Sequence, residues 1–137
     1  MKHLIIPVLL AIFLSFSLIS CSKDDSTTSS QSSVNIVRAA SLNDTFRLEF
    51  EISGTTNSQT YLYDLFFATN SFYVRPSIST FSNGQITMNV LRDTVILYSR
   101  IYNGLISLPD SAFGNPNKVN FIFNNCAGKG NINLEAK

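Results

Sequence analysis

The sequence predicts an all-β protein, an antiparallel β-sandwich or small barrel of about eight or nine short strands. Three observations predict it. From Asp44 to Ser53, apolar Phe46, Leu48, Phe50 and Ile52 alternate with Thr45, Arg47, Glu49 and Glu51. That is the period-two pattern of a strand with one face on a core and one in water. The dipeptides Asn83-Gly84 and Asn103-Gly104 stand between runs rich in β-branched and aromatic residues, as type I′ hairpin turns do. At the end of the chain Ile132, Leu134 and Ala136 alternate with Asn131, Asn133 and Glu135. Closure into a barrel depends on whether the first and last strands pair, so sandwich and barrel both stand.

The chain opens with something other than a strand. Lys2 and His3 precede an apolar run from Leu4 to Ile19, broken only by Pro7 and two serines. A span needs about 20 apolar residues, and this shorter run fits the apolar region of a secretory signal. It ends at Leu18-Ile19-Ser20-Cys21, which resembles the lipobox of bacterial lipoproteins. The resemblance implies a cut between Ser20 and Cys21, a diacylglycerol on the Cys21 sulfur and an acylated new amino group. Each buried CH2 is worth about 0.8 kcal/mol, so three acyl chains would hold the protein to a membrane it does not span. Ser22-Lys23-Asp24-Asp25 resembles the lipoprotein export signal of one large Gram-negative phylum. That likeness implies that Lys23, Asp24 and Asp25 direct the protein to the outer membrane, facing the cell exterior. The expected organisation is a signal peptide over 1–20, a lipidated Cys and tether over 21–33, and a single β domain over 34–137.

Ser22 to Ser33 is polar and Ser/Thr-rich, with no apolar residue to bury. It reads as a flexible tether whose ends lie roughly 20 Å apart. The first strand is expected over Val34–Val37 and the second over Asp44–Ser53. Glu49 and Glu51, on the wet face beside Arg47, suit surface ion pairs better than acid–base catalysis. Gly54 to Gln59 reads as a loop. Thr60 to Asn70 is apolar on both parities and rich in Tyr and Phe, and is read as a strand. Ser71–Arg75 continues as extended chain, with Pro76 confining it to an edge or a bulge.

Asn83-Gly84 is expected to join Ile78–Ser82 to Gln85–Leu91. After a turn at Arg92-Asp93, Thr94 to Tyr102 reads as a central strand, apolar on both faces near its start. Asn103-Gly104 then leads into Leu105–Leu108, making a meander of consecutive antiparallel strands. Pro109 to Lys118 is irregular, with room for one helical turn ending at Gly114. Val119–Asn124 follows as a strand with Phe121 and Phe123 inward. Asn125–Gly130 reads as a turn, and Asn131–Ala136 as the last strand. Ala127-Gly128-Lys129-Gly130 lacks the earlier Gly and the Ser or Thr of a phosphate loop.

Composition excludes several functions. Cleavage after Ser20 would remove Lys2 and leave 9 basic against 9 acidic residues, so no basic surface offers itself to nucleic acid. The one His, His3, would leave with the signal. That rules out Ser-His-Asp and Cys-His catalysis and His-ligated metal. The chain has no Trp and no CxxC pair. Cys126 is expected as a small buried hydrophobe, the alternative being an intermolecular disulfide. No catalytic residue, cofactor or metal site is predicted, and the protein is read as a non-enzyme.

Two partner classes fit what remains. A binding or adhesion module is suggested by an Asn-, Ser-, Thr- and Tyr-rich exterior, with Tyr61, Tyr63, Tyr73, Tyr98 and Tyr102 as contact candidates for a glycan. An accessory subunit of a larger envelope complex would instead use an open strand edge. An apolar-ligand carrier would need an unfilled barrel. Asp25-Ser26-Thr27, Asp93-Thr94-Val95 and Asp110-Ser111-Ala112 resemble the three-residue O-glycosylation motif of exported proteins in the same phylum. The likeness implies a sugar on Ser26, Thr94 or Ser111.

Overall fold

A computed structural model describes residues 35–54 and 58–137. Among them are seven strands and no helix. They are β1 (Asn35–Leu42), β2 (Thr45–Ile52), β3 (Gln59–Asp64), β4 (Ser71–Arg92), β5 (Val95–Tyr102), β6 (Asp110–Phe113) and β7 (Lys118–Ala136). All pair antiparallel, in the order β1-β2-β7-β4-β5, with β3 against β7 and β6 against β4. The anchor residues Ser20 and Cys21, with Lys23, Asp24, Asp25 and Ser26, lie outside the described residues.

β4 and β7 carry the architecture. They run side by side from Phe72↔Ala136 to Leu91↔Lys118, with register shifts between Ile78 and Gln85. Such bulges bend a strand pair and sharpen its twist. The first half of β4 and the last half of β7 belong to one layer, ordered β1-β2-β7-β4-β6. The remaining halves form a second layer, ordered β3-β7-β4-β5. The two layers make a β-sandwich, and the sheet does not close into a barrel. Counted as bent halves, the segments match the number of short strands expected from the sequence.

The core lies between the layers. Phe46, Leu48, Phe50 and Ile52 of β2 are buried and Thr45, Arg47, Glu49 and Glu51 exposed, as their alternation predicts. Phe46 stacks on Phe121 of the other layer at 6.0 Å between ring centres and meets Tyr63 at 5.4 Å. Phe50 meets Phe123 edge-on at 5.5 Å. Val74, Ile78, Ile86, Met88, Val90, Ile132 and Leu134 complete it.

Several expectations fail, each for a long-range reason. Neither Asn83-Gly84 nor Asn125–Gly130 turns the chain. β4 and β7 run through both, because each flank finds a partner far away in sequence. Gly84 has φ 79° and Asn125 φ 48°, so the two sites form facing irregularities at the bend. Asn103-Gly104 makes no hairpin either. Ile106 crosses to the other layer and bridges Ile78, whose N–H donates to Ile106 O at 2.8 Å. The meander is therefore replaced by pairing across the whole chain. Residues 110–113 form a strand on β4 and not a helical turn. β5 is an edge strand, not a central one, and leaves Val95, Ile96 and Ile101 exposed. Thr94 stands in the β4–β5 turn and not in a strand.

The Thr60–Asn70 strand stops at Asp64. Beyond it, Leu65 and Phe67 are buried where the chain crosses between layers. Apolar residues on both parities here mark an end cap. That cap is tied to the β1–β2 turn: Asp44 N–H donates to Phe66 O at 3.0 Å, and Ala68 N–H donates to Asp44 Oδ1 at 2.9 Å. Pro76 sits inside β4 opposite Ile132. The Ile78 N–H, of the same parity, points away from β7. The Pro76 nitrogen therefore faces the open side between β6 and Ile106, where no donor is needed.

Candidate functional site

Alternation in the five-stranded layer turns one residue in two outward. On β1 these are Ile36, Arg38, Ala40 and Leu42, since each pairs with an outward residue of β2. Asn131 faces Ser77 on one side and Glu49 on the other, and Lys129 lies opposite Glu51. The outer face of this layer carries a groove of 480 Å³ lined by Ile36, Arg38, Glu49, Glu51, Ser77, Ser79, Lys129 and Asn131, with Phe50 and Gly130. It crosses β1, β2, β7 and β4. At about 4.8 Å between strands it is about 14 Å long, perpendicular to them. A smaller hollow of 230 Å³ adjoins it at Arg38, Ala39, Ala40, Arg47 and Glu49.

The charges of this face are largely matched among themselves. Glu49 pairs with Arg47 at 2.5 Å and Glu51 with Lys129 at 3.0 Å. Arg75 pairs with Glu135 at 2.9 Å. Arg38 has no ion-pair partner among the described residues. These pairs are half exposed, so each contributes little to stability. What they do is leave the groove nearly neutral, with the Ser77 hydroxyl, the Asn131 amide and paired charges as donors and acceptors, and the Ser79 hydroxyl, which donates to Lys129 O at 3.2 Å, as an acceptor. Glu49 and Glu51 are thus ion-paired surface carboxylates.

The candidate tyrosines do not converge. Tyr61 and Tyr63 pack inward on Phe123, Phe121 and Phe46. Tyr102 is buried, and burial holds its phenol far above the ordinary range. Tyr98 packs on Phe72, and its hydroxyl donates to Asp110 Oδ2 at 2.9 Å. Arg100 approaches the same oxygen at 3.4 Å, tying β5 to β6. The Ser111 backbone N–H, then the Tyr98 hydroxyl, hold the Asp110 carboxyl below the usual range. Only Tyr73 faces outward on the groove layer, and Arg75 and Lys137 cover its ring at 5.1 Å each.

The remaining predicted positions are dispersed. Thr94 is exposed in a turn whose Asp93 is held by Asn117 through two bonds of 2.7 and 2.8 Å. Ser111 is exposed on β6, opposite Tyr73. Cys126 is buried at the bend, its thiol pushed up to about 11 by burial, so it holds no thiolate at neutral pH. Groove residues Arg38, Ser77, Ser79, Lys129 and Asn131 were not singled out by the sequence. The outward parity of Asn131 was legible there, but its neighbours were not.

Neither a protein-family profile nor a curated protein matches the chain. Among solved structures, one described as "CBM4 structure and function" is 11% identical, covers 78% of this chain and 77% of its own, and superposes with a TM-score of 0.31. That likeness is too loose to inform the site.

Proposed function

We propose that this chain is a lipid-anchored binding module that holds a neutral, hydroxyl-rich ligand, a glycan, in the groove across β1, β2, β7 and β4. The observation that carries the reading is the groove itself: 480 Å³, walled by hydroxyl, amide and mutually paired charged groups. Apart from Arg38, the groove charges are already paired, and a charged ligand would have to break those pairs. A neutral polyol can use their spare lone pairs and protons without doing so. Binding of this kind needs no catalytic group.

The test is a glycan array on the purified protein, followed by titration of the best ligand. The double variant Ser77→Ala, Asn131→Ala is expected to weaken binding on the order of tenfold, the loss of two modest hydrogen bonds. Unchanged affinity in that variant, or no glycan bound by the parent, overturns the reading. A co-purifying envelope protein in place of a glycan would favour the accessory subunit.

The anchor is part of the same proposal and rests on the lipobox. Cys21→Ala is expected to abolish fatty-acid labelling and release the protein from the membrane fraction. Replacing Lys23, Asp24 and Asp25 by Ala is expected to keep the label and remove accessibility to protease on whole cells. A labelled, membrane-bound Cys21→Ala protein would sink the anchor, and an equally accessible triple variant would sink surface export. Exposure of Thr94 and Ser111 supports O-glycosylation there. Ser26 is proposed from its motif alone.

A further inference from the structure

The edges of the sandwich are unequal. β6 has four residues, β3 has six, and β5 pairs through a register shift at Val90/Leu91. β1 pairs with β2 over eight residues without a shift and has no Pro. An unbroken edge of this kind is a template for another strand.

Its hydrogen-bonding parity follows from one contact. Ala136 N–H donates to Asp44 O at 2.8 Å, so the alternate residues from Asp44 onward, Phe46 and Leu48, direct their backbone groups to β7. Thr45, Arg47, Glu49 and Glu51 then bond to their β1 partners Leu42, Ala40, Arg38 and Ile36. Val37, Ala39 and Ser41 are left with N–H and C=O aimed off the edge. Ser41 Oγ reaches Asp64 O at 2.8 Å through its inward side chain, not through its backbone.

We propose that this edge pairs with the β1 edge of a second copy, antiparallel, with Ala39 on the two-fold axis. Parity requires inward residues to meet inward ones, and several registers satisfy it. Centring on Arg38 would set two guanidiniums face to face. Centring on Ala39 keeps the two guanidiniums apart and sets each Arg38 beside the small Ala40 of the second copy. The same register sets Ile36 against Leu42 of the second copy. These two apolar side chains, 36% and 66% exposed, then cover each other. The two grooves become one continuous face across the axis, which gives a repeating ligand two sites.

The experiment is disulfide trapping in the full chain, in membranes, without added ligand, so it is read independently of glycan binding. Ala39→Cys is expected to form a covalent dimer on mild oxidation, because directly opposed residues fall within disulfide reach. Arg38→Cys, offset from its own copy, is expected to form on the order of tenfold less. Arg38→Cys co-expressed with Ala40→Cys is expected to restore the dimer and guards against a misfolded single variant. The parent, with Cys126 buried, gives no band. No dimer from any combination overturns the proposal. Equal yield at 38 and 39 marks random collision and also overturns it. A cross-link to a protein of another mass assigns the edge to a foreign strand and not to a second copy.

Discussion

Phe46→Ala is expected to lower the unfolding free energy by about 3–5 kcal/mol, the cost of emptying a large aromatic site in a packed core. Phe46 is 1% exposed. Its ring lies nearly parallel to Phe121, at 16°, and touches Tyr63, so it bridges the two layers near the β1–β2 turn. Truncation removes the ring and leaves a void bounded by rings on rigid strands, which cannot easily collapse into it. An outward position of the same strand gives the contrast. Glu49→Ala, in the same strand, removes a half-exposed ion pair and is expected to shift stability by no more than about 0.5 kcal/mol. Urea unfolding of the two variants beside the parent measures both. Similar losses in the two would mean that β2 does not present one face to a core.

That contrast was legible in the sequence, because alternation along one strand is a local signal. So were the inward Phe121 and Phe123, whereas Pro76, expected to confine its segment to an edge or a bulge, sits in the interior strand β4 with its nitrogen in the gap between β6 and Ile106. What the sequence could not show was which strands meet. Gly128 and Lys129 pair with Phe81 and Thr80, across almost fifty residues, and nothing local in either segment names the other. Reading Asn83-Gly84 and Asn125–Gly130 as turns therefore cut two long strands, β4 and β7, into short ones and folded each onto its sequence neighbour. β5 read as central because Val95, Ile96 and Leu97 are all apolar, yet an edge strand exposes two of them. The groove was hidden for the same reason. Its walls come from four strands, and an outward Ser77 or Lys129 carries no signal until β7 lies between β2 and β4. The tyrosines drew notice as surface groups and went mostly to the core, where a ring gains more from burial than a hydroxyl loses.

The two Asn-Gly dipeptides supply the sharpest test, since identical sequence is expected to respond with opposite sign. Gly84 has φ 79°, in the left-handed region that costs an L-residue roughly 1–2 kcal/mol. A Cβ there would also overlap the backbone carbonyl oxygens of Asn124 and Asn125. Those atoms belong to β7 at the bend and cannot swing aside as a side chain would. Moving them means straightening the bulge that turns β4 and β7 from one layer into the other. Gly84→Ala is therefore expected to cost about 4 kcal/mol or more, at the upper end of single-substitution effects. Gly104 has no atom within 4 Å of where a Cβ would stand, and its φ is not positive. Gly104→Ala restricts the unfolded chain at no steric cost, and is expected to leave the protein as stable or more stable by about 0.5 kcal/mol. Thermal or urea unfolding of the pair decides it. Were Asn83-Gly84 and Asn103-Gly104 both type I′ turns, each Ala would strain a left-handed residue and the losses would match. A large loss at 84 with none at 104 is the signature of one dipeptide at the bend between layers and the other in an open crossing.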